Sequence, residues 1–298
     1  MENFNLLLNK DEQILDKETL ELTPLSLKDK GKKEVGRKEQ LETFSHWDKI
    51  DWSALKVRQI NHAKLLCPVT SVPLELSPDY RLIVGLGNPS IYETSITLHH
   101  IYGFPYIPAS AIKGVLRNYI INEFFQLNAN ELAKVKKEDI GQAKEQKALK
   151  SSIDFCHIFG CPENSAKKNK AGKQLAFTGD IIFFDSFPTQ KPNLEMDIMT
   201  VHYPKYYGEG ALPPADWQQP NPIPFLTLKN NPVKNRINKF QFIIGLRNGA
   251  ENREISIGNY KGKLVDIATS LLFQALTNHG IGAKNSVGYG YFSGVNKI

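Results

Sequence analysis

Lys284, Asn285 and Ser286 occupy the tip of the stretch Gly280-Ile281-Gly282-Ala283-Lys284-Asn285-Ser286-Val287-Gly288-Tyr289-Gly290, which carries four glycines. An ammonium, an amide and a hydroxyl in succession, on a backbone free to take φ > 0 and to approach a ligand closely, are the ingredients of an anion-binding loop. The chemistry they predict is phosphate recognition, with Gly282, Lys284, Asn285, Ser286 and Gly288 as the contacting residues. ATP and dinucleotides fit poorly. The Gly-x4-Gly-Lys-Ser/Thr pattern is absent, and the order is helix, loop, strand, the reverse of a nucleotide-binding unit. Gly85-Leu86-Gly87 lacks the third glycine and the acidic ribose ligand of a dinucleotide fingerprint. The run Gly288-Tyr289-Gly290-Tyr291-Phe292 partly matches the alternation with which RNA-recognition sheets stack bases, with Val287 where a basic residue is expected. Two readings stay open: Tyr289 or Tyr291 stacks on RNA bases, or the segment is a tight turn whose aromatics pack inside.

A second constellation lies on a helix expected over 110–125, with Ser110 near its start and Ile112, Val115, Leu116 and Tyr119 at core spacing. At about 100° per residue, Ser110, Lys113, Gly114 and Arg117 share the opposite face. Cations in the first turns oppose the positive end of the helix dipole, and a bound anion would relieve that conflict. RNA phosphate held by Ser110, Lys113 and Arg117 is the functional expectation; a solvated basic face is the other. His99 and His100 add imidazoles that could contact RNA, exchange protons as a metal-independent ribonuclease, or serve structure alone. Cys156, His157 and Cys161 cluster in sequence, but lack the second spaced pair of a zinc site, so structural reduced thiols are expected, with neither metal nor cofactor.

These residues need a framework. The 298-residue chain carries a net charge of +6, which fits a polyanionic partner. It shows no apolar run of about 20 residues that would span a bilayer, so a cytoplasmic protein without membrane association is expected. Residues 1–75 read as a charged, partly helical N-terminal extension and 76–298 as one domain, with insertions at about 126–173, helical and lysine-rich, and 188–238, long and proline-rich. The strongest elements run strand (81–87), helix (110–125), strand (175–185), strand (240–247), helix (264–278), strand (287–293). This βαββαβ order predicts an α+β, ferredoxin-like core of the kind that carries RNA-recognition sheets.

With these elements assigned, the sequence resembles the RAMP superfamily of CRISPR proteins. The resemblance rests on Val84-Gly85-Leu86-Gly87-Asn88-Pro89, on Leu98-His99-His100 through Ile107-Pro108-Ala109-Ser110-Ala111-Ile112-Lys113-Gly114-Val115-Leu116-Arg117, on Gly179-Asp180-Ile181-Ile182-Phe183-Phe184-Asp185, on Thr200-Val201-His202-Tyr203, and on the closing glycine-rich loop. It covers roughly residues 80 to 293. It implies a ferredoxin-like fold, binding of CRISPR guide RNA near its 3′ end, target RNA as a further candidate partner, and a place among other RAMP-type subunits of a type III-B Cmr filament. Related backbone subunits cut target RNA with an aspartate in the loop after the first strand. Here that loop reads Asn88-Pro89-Ser90-Ile91-Tyr92-Glu93 and has no aspartate, which implies a non-catalytic subunit; the alternative is a ribonuclease using His99 or His100.

Overall fold

The computed structural model describes residues 45–89, 94–162, 176–201, 213 and 221–294. The expected N-terminal extension therefore lies outside the described residues up to 44, as do Ser90–Glu93, the lysines at 167, 168, 170 and 173, and His202-Tyr203.

After a 3-10 turn (Ser45–Lys49) the chain forms α1 (Trp52–Leu66), β1 (Val69–Thr70), β2 (Leu74–Pro78) and β3 (Arg81–Leu82). Then come α2 (Ala109–Phe124), α3 (Ala129–Leu132), α4 (Ile140–Ser151), α5 (Ile153–Phe159), β4 (Ile181–Phe183) and β5 (Phe187–Pro188). β6 (Leu194–Val201), β7 (Asn221–Lys229), β8 (Phe240–Phe242), β9 (Ile244–Leu246), β10 (Glu254–Ile257), β11 (Tyr260–Lys263), α6 (Leu264–Asn278) and β12 (Phe292–Gly294) complete it. The fold is mixed α/β, and every strand pair is antiparallel.

The central sheet has the order β12-β2-β8-β5. Its residues alternate between two covers, as a period of two requires. Leu76, Phe240, Phe242 and Phe292 join the main core beneath α2 and α6. On the alternate positions, Glu75 pairs with Lys56 of α1 and Gln241 donates to the Lys56 carbonyl at 3.4 Å. Phe187 of β5 packs there in an aromatic cluster with Trp47, Leu55 and Phe104. The two core helices are amphipathic at the expected spacing: Ile112, Leu116 and Tyr119 of α2 and Leu271, Leu272 and Ala275 of α6 are buried. Tyr119 Oη donates to Gln274 Oε1 across them at 2.7 Å.

Three expectations need correction. The aliphatic run 81–87 is a strand only at Arg81–Leu82; the sheet strand is β2, just before it. Ile83 and Val84 are inside, but their carbonyls accept from Ala283 and Thr97 instead of from a regular ladder. Within the proline-rich insertion, 225–228 is a strand as its β-forming residues predict, but 188–224, which reads as irregular, is not so throughout, because β6 and β7 pair in register from Leu194↔Leu228 to Val201↔Asn221. Pro222 and Pro224 of β7 lie beyond its short pairing with β3, where among the described residues no strand pairs with that edge and no N–H is demanded; Thr94 Oγ1 donates to the Pro224 carbonyl at 3.3 Å. The start of α2 is Ala109, with Pro108 at the N-cap position, and Ser110 lies one residue inside. Among the described residues no helix is long and apolar enough to cross a membrane.

Candidate nucleic-acid interface

The glycine-rich loop leaves α6 at His279 and is braced at its neck by reciprocal structure. Ile281 N–H donates to the Gly290 carbonyl at 2.8 Å, Ala283 N–H to Ile83 at 2.9 Å and Gly290 N–H to Arg81 at 2.7 Å. Between these braces the chain runs out through a single 3-10 turn, Asn285–Val287. Lys284 is held at φ 63 and Gly282 at φ 95, both left-handed. A Cβ on Gly282 would lie 2.2 Å from the Ile83 carbonyl oxygen, so only glycine lets these backbones meet. Gly288 is also left-handed, at φ 92, but faces open space. Gly282, Ser286 and Gly288 present an exposed, side-chain-poor surface, with Lys284 half-buried beside them. The Lys284 ammonium sits 4.9 Å from the Phe225 ring centroid, a contact that orients the charge without neutralising it.

Not every residue expected to touch RNA faces outward. Asn285 turns back into the loop and donates Nδ2–H to the Tyr289 carbonyl at 3.1 Å. Tyr289 is 7% exposed, and its hydroxyl donates to Asp197. Burial, and then the Asp197 carboxylate, push its phenol well above the ordinary range. Of the two open readings, Tyr289 therefore packs and does not stack on bases. Asp197 also contacts Arg81 Nε at 3.1 Å. Arg81, 6% exposed, reaches Glu195 at 3.0 Å and Thr227 Oγ1 at 2.7 Å. This buried ion cluster ties β3, β6 and β7 to the neck of the loop. Sequence reasoning missed it; the one signal was an arginine inside an aliphatic run.

The helix constellation divides in the same way. Asp185 accepts the Ala109 N–H at 2.7 Å, so a carboxylate of this chain already occupies the helix start that RNA phosphate was expected to fill. Ser110 is exposed beside it. Arg117 is not open to phosphate as expected: it pairs with Glu145 of α4 at 2.7 Å, with its guanidinium 5.5 Å from the Phe155 ring centroid. Among the described residues Lys113 has no carboxylate partner. Its Nζ donates to the Phe159 carbonyl at the end of α5 at 3.1 Å. Burial, followed by Arg117 and then Arg247, pulls its pKa below the usual lysine range. Arg247, exposed at the end of β9 with Nε on the Gly179 carbonyl at 3.0 Å, is a cation the sequence reading did not include.

Loop and helix are joined by backbone. Ala283 bonds to Ile83, Thr97 N–H to the Val84 carbonyl at 2.8 Å, and Tyr106 N–H to the Thr97 carbonyl at 3.4 Å, two residues before the N-cap of α2. These three bonds link the loop to the chain entering the helix. The Lys113 and Lys284 ammonium groups nevertheless have different neighbours: Arg117, Arg247 and Phe159 around one, Phe225 beneath the other.

His100 is exposed and its ring stacks on His99 at 5.0 Å. His99 is a structural part of the aromatic cluster. Its Nδ1 accepts N–H from Ile101 at 3.2 Å and Tyr102 at 3.4 Å, and its ring contacts Phe104 and Phe187. Burial, then the neighbouring His100, lower its pKa. The thiols of Cys67, Cys156 and Cys161 are reduced and buried. His157 is engaged by Asp180 at 2.8 Å, and among the described residues no group of three or more His, Cys, Asp and Glu could hold a metal ion.

Comparison with known proteins gives this geometry its context. The model of the RAMP superfamily matches residues 75–293. The chain belongs to the RAMP superfamily. Within it, the chain is 36% identical over 236 residues to the CRISPR system Cmr subunit Cmr6 of Pyrococcus furiosus, a match spanning 70% of this chain and 64% of that protein. It is 26% identical over 305 residues to Cmr6 of Saccharolobus solfataricus, spanning 97% of this chain and 84% of that one. Among solved structures, a chain of the type III-B Cmr-beta complex bound to cognate target RNA is similar at a TM-score of 0.50 and 22% identity, covering 91% of this chain and 77% of that chain. The crystal structure of Cmr6 from Pyrococcus furiosus aligns at a TM-score of 0.41 and 30% identity, covering 76% and 99%. The stretch from Val84 to the closing loop that carried the resemblance thus falls inside the matched RAMP region.

Proposed function

We propose that this chain is a non-catalytic, guide-RNA-binding assembly subunit of a type III-B CRISPR effector complex, placed near the 3′ end of the guide. Its framework is a ferredoxin-like RAMP core: numbered along the chain, the strands of the central sheet lie in the order 4-1-3-2, all antiparallel, with α2 after the first and α6 after the third. The observation that carries the functional reading is the braced glycine-rich loop. Gly282, Lys284 and Gly288 are left-handed and, with Ser286, present an exposed edge that carries one cation and is sterically open at Gly288, suited to a sugar-phosphate strand passing close to the backbone. Lys113 and Arg247 extend positive charge elsewhere on the surface, and neighbouring subunits, with target RNA, complete the assembly.

Such contacts are to phosphate, so binding is largely independent of sequence and weakens steeply with salt. The test is a salt titration of single-stranded RNA binding. Each phosphate contact removed lowers the slope of log K against log salt by about 0.7, so Lys113→Ala/Lys284→Ala should lower it by about 1.4. Unchanged affinity and slope would remove both lysines from the RNA site. His99 is built into the aromatic cluster, and end-labelled RNA incubated with pure protein in EDTA should stay intact. Discrete products lost in His100→Ala would establish the ribonuclease reading instead.

A further inference from the structure

Away from the glycine-rich loop, a cavity of about 480 Å³ opens between Trp47–Asp48, Gln190–Glu195 and the turn Asn231–Arg236. That size suits one small-molecule-sized group. Its walls are mostly amides and charges, with Trp47, Pro192 and Leu194 among them, a lining that does not suit a lipid or other wholly apolar occupant. Both carboxylates on the wall are already matched: Asp48 by Lys191 at 2.7 Å, and Glu195 by Lys229 at 2.7 Å and Arg81 at 3.0 Å. A metal cation therefore has no free acid to bind. Lys234 and Arg236 are different, since both are exposed at the rim and neither forms an ion pair among the described residues.

The turn that carries them is fixed. Asn231 N–H donates to the Arg236 carbonyl at 2.7 Å, and Arg236 N–H returns to Asn231 at 2.9 Å. Asn231 Oδ1 accepts Lys234 N–H at 3.1 Å, and Asn235 is held left-handed at φ 50. Two cations without an acid partner among the described residues, the apolar side chains of Trp47, Pro192 and Leu194 on the wall, and the amide of Asn235 beside that of Asn193, whose Nδ2–H already donates to the Lys229 carbonyl at 2.7 Å and whose Oδ1 can accept, together match one chemical class: an anion with a flat, hydrogen-bonding heterocycle.

We propose that this cavity is a second nucleotide site, which takes one ribonucleotide of a single-stranded RNA with its phosphate on Lys234 and Arg236 and its base among the amides. It rests on the RNA-binding reading for the identity of the strand, but it uses none of the same residues. A free nucleoside monophosphate shares the chemistry, and the experiment separates the two sources.

The full-length protein is irradiated with a short single-stranded oligoribonucleotide carrying 4-thiouridine, and cross-linked peptides are mapped by mass spectrometry. Cross-links to 190–195 or 231–236 are expected, falling about ten-fold or more in Lys234→Ala/Arg236→Ala, with those to 280–290 unchanged. Both substitutions are on an exposed turn, and an unaltered melting temperature shows that the variant is folded. Excess UMP displacing only the 231–236 cross-link identifies a mononucleotide pocket; displacement only by unlabelled oligoribonucleotide identifies a site for chain RNA, and either supports the proposal. Cross-links confined to 280–290 would overturn the cavity while leaving the main reading intact, and cross-links at neither place would overturn both. Displacement by polyglutamate but by neither RNA nor UMP would assign the cavity to an acidic protein segment and overturn it as well.

Discussion

Placing alanine at two glycines of the same loop should have very different consequences. At Gly282 the left-handed conformation costs an L-residue about 1–2 kcal/mol. The new Cβ, 2.2 Å from the Ile83 carbonyl oxygen, must also displace backbone. Overpacking of that kind costs about 1–3 kcal/mol. It would further break the 2.9 Å bond from Ala283 N–H to Ile83, worth about 0.5–1.5 kcal/mol. Together these give about 3–6 kcal/mol. At Gly288 the same strain applies, but nothing lies within 4 Å of the added methyl, so only the first contribution of about 1–2 kcal/mol remains. At about 2–4 °C per kcal/mol for a domain of this size, Gly282→Ala should lower the melting temperature by about 6–24 °C and Gly288→Ala by about 2–8 °C. RNA affinity should rank the variants differently, because the Gly288 methyl projects into the space through which a phosphate backbone would pass. Scanning calorimetry on both variants and RNA titration on Gly288→Ala, which stays folded, check this. Equal losses of stability would refute the claim that Ile83 pins the loop, and wild-type affinity in Gly288→Ala would refute the claim that the strand crosses there.

Two further outcomes follow from buried charge. Arg81→Met removes the cation between Asp197 and Glu195; Glu195 keeps 36% of its side-chain surface exposed, so the loss should sit near the lower end of the 3–5 kcal/mol typical of a broken buried pair, measurable by urea denaturation. His99 has a folded-state pKa below its usual value, so the unfolded chain binds its proton first. Its contribution should be complete at pH 7.5 and decline as pH falls below about 6.5, levelling once the folded pKa is passed. His99→Gln should flatten that part of the melting-temperature profile, and an unaltered profile would show that this ring does not titrate differently on folding.

The parts of the molecule visible in the sequence are those specified locally. α2 and α6 were legible because each repeats its apolar positions at helical spacing over about four turns, and the loop was legible because glycine spacing reports backbone freedom directly. The run 81–87 was misread because an aliphatic stretch reports burial, and burial is what Leu82 and Ile83 have; what their backbone bonds to depends on residues two hundred positions away. The β6–β7 hairpin was concealed by prolines that an open strand edge tolerates. Gly179-Asp180 through Asp185 was noticed as a pattern, yet its contribution, a carboxylate that caps α2, required knowing where that helix begins.

On the proposed reading, the same distinction governs which cations are open to RNA. In the sequence Arg117, Lys113 and Lys284 look alike, and Arg81 and Arg247 look incidental. Folding separates them by their partners. Arg81 is surrounded by two carboxylates and Arg117 is matched by Glu145, so their fields are largely cancelled at close range. Among the described residues Lys284 meets an aromatic face, Lys113 a carbonyl and two like charges, and Arg247 a carbonyl and the charge of Lys113. An anion arriving at these three finds charge that the protein has not already neutralised. At Lys113 it would also relieve repulsion among the cations themselves, which is a gain in binding energy that no exposed, isolated lysine offers. If this surface takes a phosphate strand as proposed, its affinity is set less by how many basic residues the chain carries than by which of them folding leaves without an acid.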